Sequence, residues 1–576
     1  MEDSGPTLAS GPTSNSNPPI MEESSAKLFF CRWVRHRIPL AHREEFYHIL
    51  RMTGPLLLSR ILNYLLPFVI TMFCGRLGNE VLAGYGLACA TINVTTAATG
   101  GGLALACDTL VSQTFGGKNL QRVGVILQRS VLILLLFCLP CWAMLLNTQS
   151  ILLALGQEPE VARCESDVYQ SYQRVCFCAQ GIILPQMYTA AAANIANVVT
   201  NYILLYWMDL GVIGSAAANT LSQLYICSFL FAYIFWKKLY VKTWGGWTTE
   251  ALQEWGSYMK LAIPSTLMLC FEWWIYELGG FLAGMLSEVD LAAQHVVIML
   301  AFINYMFPLG IQAAACVRVG NALGAGDTAG AILTSKVSLA LSGSMAVIQG
   351  IMLISTKTVI GFMFTSDDQD SPKLEPDHLN NHCVCMGIIL GTGQQKIAAM
   401  ANLITYYCVG LPLGISLMFA AGLRVVGFWL GLLICVIIQS SFFITVIFRL
   451  DWKKMTEKAV KRAGKAGHMV SMRSIVAPDH TENNGRVSMS RTFSSVLFFI
   501  NWTPEVQKED GSPRALLSTT QLVLRRGLTV LTAIVILAVG TSVHLLLPLP
   551  ISTWSNLSVD WKGINRLHSL INIFYI

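Results

Sequence analysis

Two carboxylates stand where carboxylates are costly. Glu272 and Glu277 lie in FEWWIYELGG (271–280), inside an apolar run from about Leu261 to Leu286. A run of this length can cross a bilayer. An ionised side chain at the bilayer centre costs roughly 2.5–3.5 kcal/mol on insertion scales. Groups kept there mark an ion, proton or substrate path, or else pair with a Lys or Arg on another segment for packing. Burial makes a carboxyl hold its proton more tightly, in extreme cases up to a pKa of about 8–9. One such group can serve two ligands in turn: ionised it attracts a cation, protonated it releases it. Ligands that compete for one site are thermodynamically linked, so an inward proton gradient can drive a cation outward.

Geometry separates the two glutamates. A spacing of five residues puts them about 140° apart on a straight helix. Glu272 shares a face with Tyr276, and Trp273 with Glu277, each at i, i+4. Glu272 is expected to line a central cavity, with Glu277 reaching an adjacent network. Trp273, Trp274 and Tyr276 offer ring faces to a cation, a contact worth about 0.5–2 kcal/mol that demands little shape. Packing and interface anchoring are equally ordinary uses of such rings.

The surrounding composition belongs to a membrane. Hydrophobic residues make up 54% and charged ones 12%, against about 25% charged in soluble domains. The net charge of +6 sits in loops beside apolar runs and requires no nucleic acid. Sixteen cysteines are scattered, several within apolar runs, which suits buried thiols better than disulfides. His378, His382, Cys383 and Cys385 lack a second ligand pair at zinc spacing, so no metal is expected. HExxH and GxxxxGK[ST] are both missing from the sequence, which argues against a zinc hydrolase or an ATP-driven pump. No enzyme activity and no cofactor are expected.

Spanning segments are predicted near 53–73, 84–107, 123–146, 182–206, 211–236, 256–286, 289–316, 333–363, 397–421, 425–448 and 522–547. The organisation read from them is a disordered, basic cytoplasmic N-terminus (1–48), an N-terminal lobe (49–240) and a C-terminal lobe (241–450). A cytoplasmic linker (451–520), an extra transmembrane helix (521–548) and an extracellular tail (549–576) follow. The two halves repeat. Pro55 and Pro264, Leu82-Ala83 and Leu291-Ala292, Gly116 and Gly324, and Ala193-Asn194 and Ala401-Asn402 are each 208 or 209 positions apart, the mark of duplicated transporter halves. Basic residues before the first span, at Lys118 and Arg122, in WKKLYVK (236–242) and in 451–470 share the cytoplasmic side by the positive-inside rule. That demands an even number of crossings per half. Each half is short of one, because the polar stretches 157–181 and 366–393 stand where a fourth and a tenth helix are needed. These two helices are expected to be weak or truncated.

From about residue 45 to 548 the chain resembles the multidrug and toxin extrusion (MATE) family, in its vertebrate, proton-coupled branch. The resemblance rests on CGRLG (74–78), INVTTAATGGGLALACDTLVSQTFGGKN (92–119), LAIPSTLMLCFEWWIYE (261–277) and VRVGNALGAGD (317–327). QLVLRRGL (521–528) opens the extra C-terminal helix of vertebrate members. The resemblance implies an all-α polytopic membrane protein: two pseudo-symmetric six-helix lobes facing each other as a V, plus a thirteenth helix. It implies a monomer in the plasma membrane, N-terminus inside and C-terminus outside, exchanging organic cations for protons. Glu272 and Glu277 match its acidic positions, and Tyr305 and Asn93 match other family positions. Asn93 is equally explained by helix–helix hydrogen bonding, and Asp108 suits a structural role. Gly320, Gly324 and Gly326 look like a helix end and turn.

Two departures stand out. Met299 occupies a position where the motif places a further glutamate, and SPKLEPDHLNN replaces the first half of the tenth helix with its acidic residue. Arg60 adds a positive charge to the first span, either snorkelling toward the cytoplasm or repelling cations. Two readings follow: a working exporter of organic cations, or a truncated, non-transporting family member.

Overall fold

A computed structural model describes residues 39–77, 93–147, 184–207, 211–238, 241, 243–286, 288–364, 377–464 and 518–546. The fourth-helix segment 157–181, all of 366–376, the tail 549–576 and most of the linker lie outside these residues. Among the described residues the chain is all helix, with no strand.

Thirteen helices are described. The first half supplies α1 (Leu40–Leu77), α2 (Asn93–Gly116), α3 (Leu120–Leu146), α4 (Leu184–Tyr202) and α5 (Gly211–Trp236). The second half supplies α6 (Trp255–Gly284), α7 (Glu288–Ala325), α8 (Thr328–Phe364), α9 (Asp377–Thr392), α10 (Gln395–Ala420) and α11 (Arg424–Arg449). Beyond them lie α12 (Trp452–Ala463) and α13 (Thr519–Leu546). Six of these, α2, α3, α8, α10, α11 and α13, contain stretches long and apolar enough to cross a membrane by length and composition.

The polar stretch that seemed to erase the tenth helix proves to be partly helical. Asp377–Asn381 form the first turns of α9, with Pro376 before them in sequence and an acidic residue at the helix start, where the dipole favours it. At 16 residues the helix is about 24 Å long, shorter than the roughly 30 Å hydrocarbon core. Its CVCMGIIL run is buried on every side, with Val384, Cys385 and Ile388 at 0% exposure. A helix that is apolar all round belongs inside a protein. It packs against α7, α8 and α11 at the centre of the largest apolar core, together with Ile49, Met268, Ile311 and Phe443.

At one end of the molecule the halves touch. The Gln113 side chain of α2 donates to the Gly391 carbonyl (2.9 Å), and the Thr109 hydroxyl donates to the Leu390 carbonyl (3.0 Å). α7 ends at Ala325 and the turn follows, as the sequence reads; Gly320 and Gly324 themselves stand before that end. They lie within α7, and a Cβ on Gly324 would overlap the Gln113 carbonyl, one on Gly320 the Ser112 hydroxyl. Only Gly326, with φ +90°, makes the turn, a conformation that favours glycine.

The amphipathic α12 lies across this end. The Asp451 carboxylate caps it by accepting from Lys454 N (3.1 Å), and Gly464 closes it in the left-handed conformation. Toward the first half, Arg462 donates to Gln113 Oε1 (3.3 Å) and Asn119 donates to the Ala463 carbonyl (3.3 Å). Burial lowers the Arg462 guanidinium from its ordinary value. Toward the second half, the Thr456 and Thr328 hydroxyls meet at 2.8 Å. Gly324→Ala is expected to lower the thermal midpoint of the purified protein, by an overpacking cost of about 1–3 kcal/mol. Gly343→Ala, whose Cβ would meet nothing within 4 Å, should leave the midpoint unchanged or raise it.

Candidate functional site

α6 carries both glutamates, and the structure sends them to different neighbours. Glu272 is 7% exposed. Its Oε1 accepts a hydrogen bond from the Tyr305 hydroxyl of α7 at 2.9 Å. Among the described ion pairs, none involves Glu272; they join Arg122 and Arg129 to Glu254, Arg318 to Glu45, and Arg424 to Asp290. Among the described residues, then, no Lys or Arg takes the pairing role raised as the packing alternative.

A small, partly open cleft at Glu272 is lined by Trp273, Tyr276, Ile298, Ala301, Phe302, Tyr305 and Trp429. Tyr276 is stacked obliquely between Phe302 (ring centroids 6.3 Å) and Trp429 (6.0 Å). Trp429 in turn donates its indole N–H to Gln294 Oε1 (2.8 Å), which fixes the ring. The wall is thus mostly aromatic, with one carboxylate and two phenolic hydroxyls to orient a guest. Aromatic faces attract cations through their quadrupole.

Glu277 and Trp274 turn toward α2 instead. The Glu277 carboxylate is hydrogen-bonded to the Asn93 side chain, and the Trp274 indole donates to the Val94 carbonyl at 3.2 Å. Asn93–Ala97 is a π-helical turn at the start of α2. Widened turns of this kind leave backbone carbonyls free for outside donors. Of the seven residues singled out from sequence, Glu272, Trp273, Tyr276 and Tyr305 share the cleft, while Glu277, Trp274 and Asn93 form the second contact.

Further groups complete the surroundings. On α9, the Cys383 thiol donates to Gln312 Oε1 (2.9 Å) and also interacts with Tyr305. His382 is 1% exposed, beside the rings of Tyr406 (6.4 Å) and Phe443 (5.5 Å). Neither of its ring nitrogens has a hydrogen-bond partner. Among the described residues no three of His, Cys, Asp and Glu converge as a metal site would require. Arg60 of α1 is within electrostatic reach of Asp108 on α2 and of Cys383. Met299 falls in α7 next to Ile298, and its side chain is outside the described set. Trp429 and Phe302 were not legible from sequence, because VVGFWLGLL and MLAFINY read as ordinary apolar helix. The one available signal was aromatic rings in segments that pack on α6.

A buried carboxylate in an aromatic cleft between membrane-length helices defines a multi-pass helical membrane protein of the transporter class. The MatE family profile matches residues 55–172 and 264–373, one block in each half. "Multidrug and toxin extrusion protein 1" of Danio rerio is 44% identical over 559 residues, covering 90% of this chain and 94% of that protein. The Homo sapiens protein of the same name is 43% identical, covering 88% and 94%. The chain belongs to the multidrug and toxin extrusion family. Its fold is that of the eukaryotic MATE transporter AtDTX14 (TM-score 0.68, 24% identity, covering 73% of this chain and all of that one). The Vibrio cholerae MATE transporter VcmN in its bent form is also similar (TM-score 0.59, 16% identity, covering 74% and 99%).

Trp274→Phe is expected to lose the bond to Val94, a stability cost of about 0.5–1.5 kcal/mol, visible as a lower thermal midpoint. Trp273→Phe, whose indole N–H makes no bond described here, should cost less.

Proposed function

We propose that the chain exports organic cations in exchange for protons, with Glu272 as the group that both ligands contest. One observation carries the reading: an almost fully buried carboxylate bound to a hydroxyl, with no basic partner among the described ion pairs, in a cleft walled by aromatic rings. A positively charged guest would restore the missing counter-charge. A proton does the same in its absence, so the two exclude each other. The names of the relatives, multidrug and toxin extrusion proteins, support a broad substrate range, and loose aromatic walls suit one.

In this reading Glu277 and Asn93 couple the α6 carboxylate face to the start of α2, so that occupancy at one is felt at the other. The two lobes, 49–240 and 241–450, face each other as a V, the cleft lies inside the second of them, and α13 stands outside them as the added helix. The protein sits in the plasma membrane as a monomer. Its N-terminus and 451–520 linker are cytoplasmic and its C-terminus extracellular, an orientation supported by the basic residues at the α2–α3 turn and in α12.

The test is uptake of a radiolabelled organic cation into cells expressing the chain, with surface expression measured in parallel. Saturable uptake should rise as the external medium becomes alkaline. Glu272→Gln, present at the surface, should abolish both the uptake and its pH dependence. Tyr305→Phe should raise KM about tenfold or more, because a hydrogen bond to a charged group contributes about 1.5–3 kcal/mol. A wild-type chain at the surface that moves no cation would sink this reading, leaving a family member that binds without transporting.

A further inference from the structure

Four arginines gather where α3, the turn before α6 and the start of α13 meet. Arg129 of α3 donates to the Glu250 carbonyl (3.2 Å) and lies 3.6 Å from the Glu254 carboxylate. Arg122, two turns earlier on the same face of α3, reaches the same Glu254 oxygen at 3.4 Å. Arg526 of α13 donates to the Leu252 carbonyl (2.9 Å) and lies over the Trp255 ring at 4.2 Å. Arg525 is exposed beside it. Among the described ion pairs, Glu254 is the one carboxylate these arginines reach, and it is itself 42% exposed.

The cluster is therefore short of negative charge. The Arg129 side chain is 8% exposed, and its Nε is buried with no acceptor. A buried donor left without a partner is costly, and a guanidinium fork fits phosphate oxygens. The outer face of α13 next to the cluster is apolar and uncovered, with Val523 64%, Leu524 73% and Leu528 63% exposed. A water-soluble anion would make no use of that face. Acyl chains would lie along it while their phosphate met the arginines.

We propose that Arg122, Arg129 and Arg526, with Arg525 at the rim, bind the phosphate of an anionic lipid headgroup and thereby fasten α13 to the body of the transporter. α13 packs along α3 and would gain further hold from such a contact. Few of its residues are buried, and the contact described at its other end is a single bond from Asn147 Nδ2 to the Gly540 carbonyl (2.8 Å), beside the packing of Gly540 on Ala143. Basic pockets between membrane helices at the cytoplasmic side are recognised headgroup sites. The leaflet assignment rests on the orientation given above, but the test below reads lipid retention and is independent of transport.

The full-length protein would be placed in phosphatidylcholine nanodiscs, alone or with a minor fraction of phosphatidylserine or phosphatidylinositol bisphosphate. Thermal midpoint and lipid retained in native mass spectrometry are the readouts. Anionic lipid should raise the midpoint and remain bound. Arg122→Gln with Arg525→Gln should weaken retention about fivefold per arginine removed, while Arg525→Lys keeps it. Arg424→Gln, at the arginine paired with Asp290, should change neither the lipid retained nor the rise in midpoint that anionic lipid produces, whatever its own midpoint. If the double variant does not reach the membrane, exposed Arg525→Gln alone carries the test, with the single fivefold loss expected. Full retention by the arginine variants would overturn the proposal. So would equal stabilisation by phosphatidylcholine alone, or by soluble inositol phosphate without anionic lipid.

Discussion

Keeping a carboxylate inside an apolar helix bundle, with no cationic partner among the described residues, constrains everything around Glu272. The group must be hydrogen-bonded, or its desolvation would exceed what the bundle can offset. Tyr305 meets that need from α7, so α6 and α7 have to cross with their polar residues in register. α11 then has to bring Trp429 to the open side, and Gln294 has to hold the indole still. Polar side chains that would look misplaced elsewhere in a membrane segment, such as Gln294 and Asn93, become intelligible as supports for this one group and its neighbour.

The chain's two-fold repetition has a physical counterpart in the way each half holds its opening helix. Asn194 on α4 donates to the Leu62 carbonyl of α1 at 2.7 Å, and its repeat partner Asn402 on α10 donates to the Met268 carbonyl of α6 at 2.9 Å. Asparagine in a membrane helix is expensive unless its amide finds a backbone acceptor. Finding the same solution at both positions means that the halves reuse one packing device. The symmetry is not complete. Asn402 is further engaged by Gln439 of α11, and the second half is the one that carries the carboxylates and the aromatic cleft.

How much of this was legible in the sequence differs by element. Apolar runs located most helices to within a few residues, because in hydrocarbon every backbone group must be satisfied within its own segment. The charge at Glu272 announced the site, since its cost in that place admits few explanations. Two kinds of information were hidden. Gly320 and Gly324 read as part of a helix end and turn, yet they also serve close helix contact, and nothing in one sequence reveals that use. α9 read as broken because hydropathy searches for a full span, whereas His382–Thr392 are buried by neighbouring helices rather than by lipid. Partners drawn from far along the chain, Trp429 for Tyr276 and Val94 for Trp274, were likewise beyond reach, because their pairing depends on crossing angles and not on local pattern.

The position of α12 has a mechanical consequence. Its contacts with Gln113 and Asn119 belong to one half of the chain, and those with Thr328 and Gln394 to the other. Any motion that parts α2 from α7 at this end must tear the first set while leaving the second intact, since α12 is tethered directly to α11 through Leu450 and Asp451. The helix is thus continuous with the second half and bonded to the first. Its contacts add to the hold between the halves at this end, as Glu277–Asn93 and Trp274–Val94 join them at the start of α2.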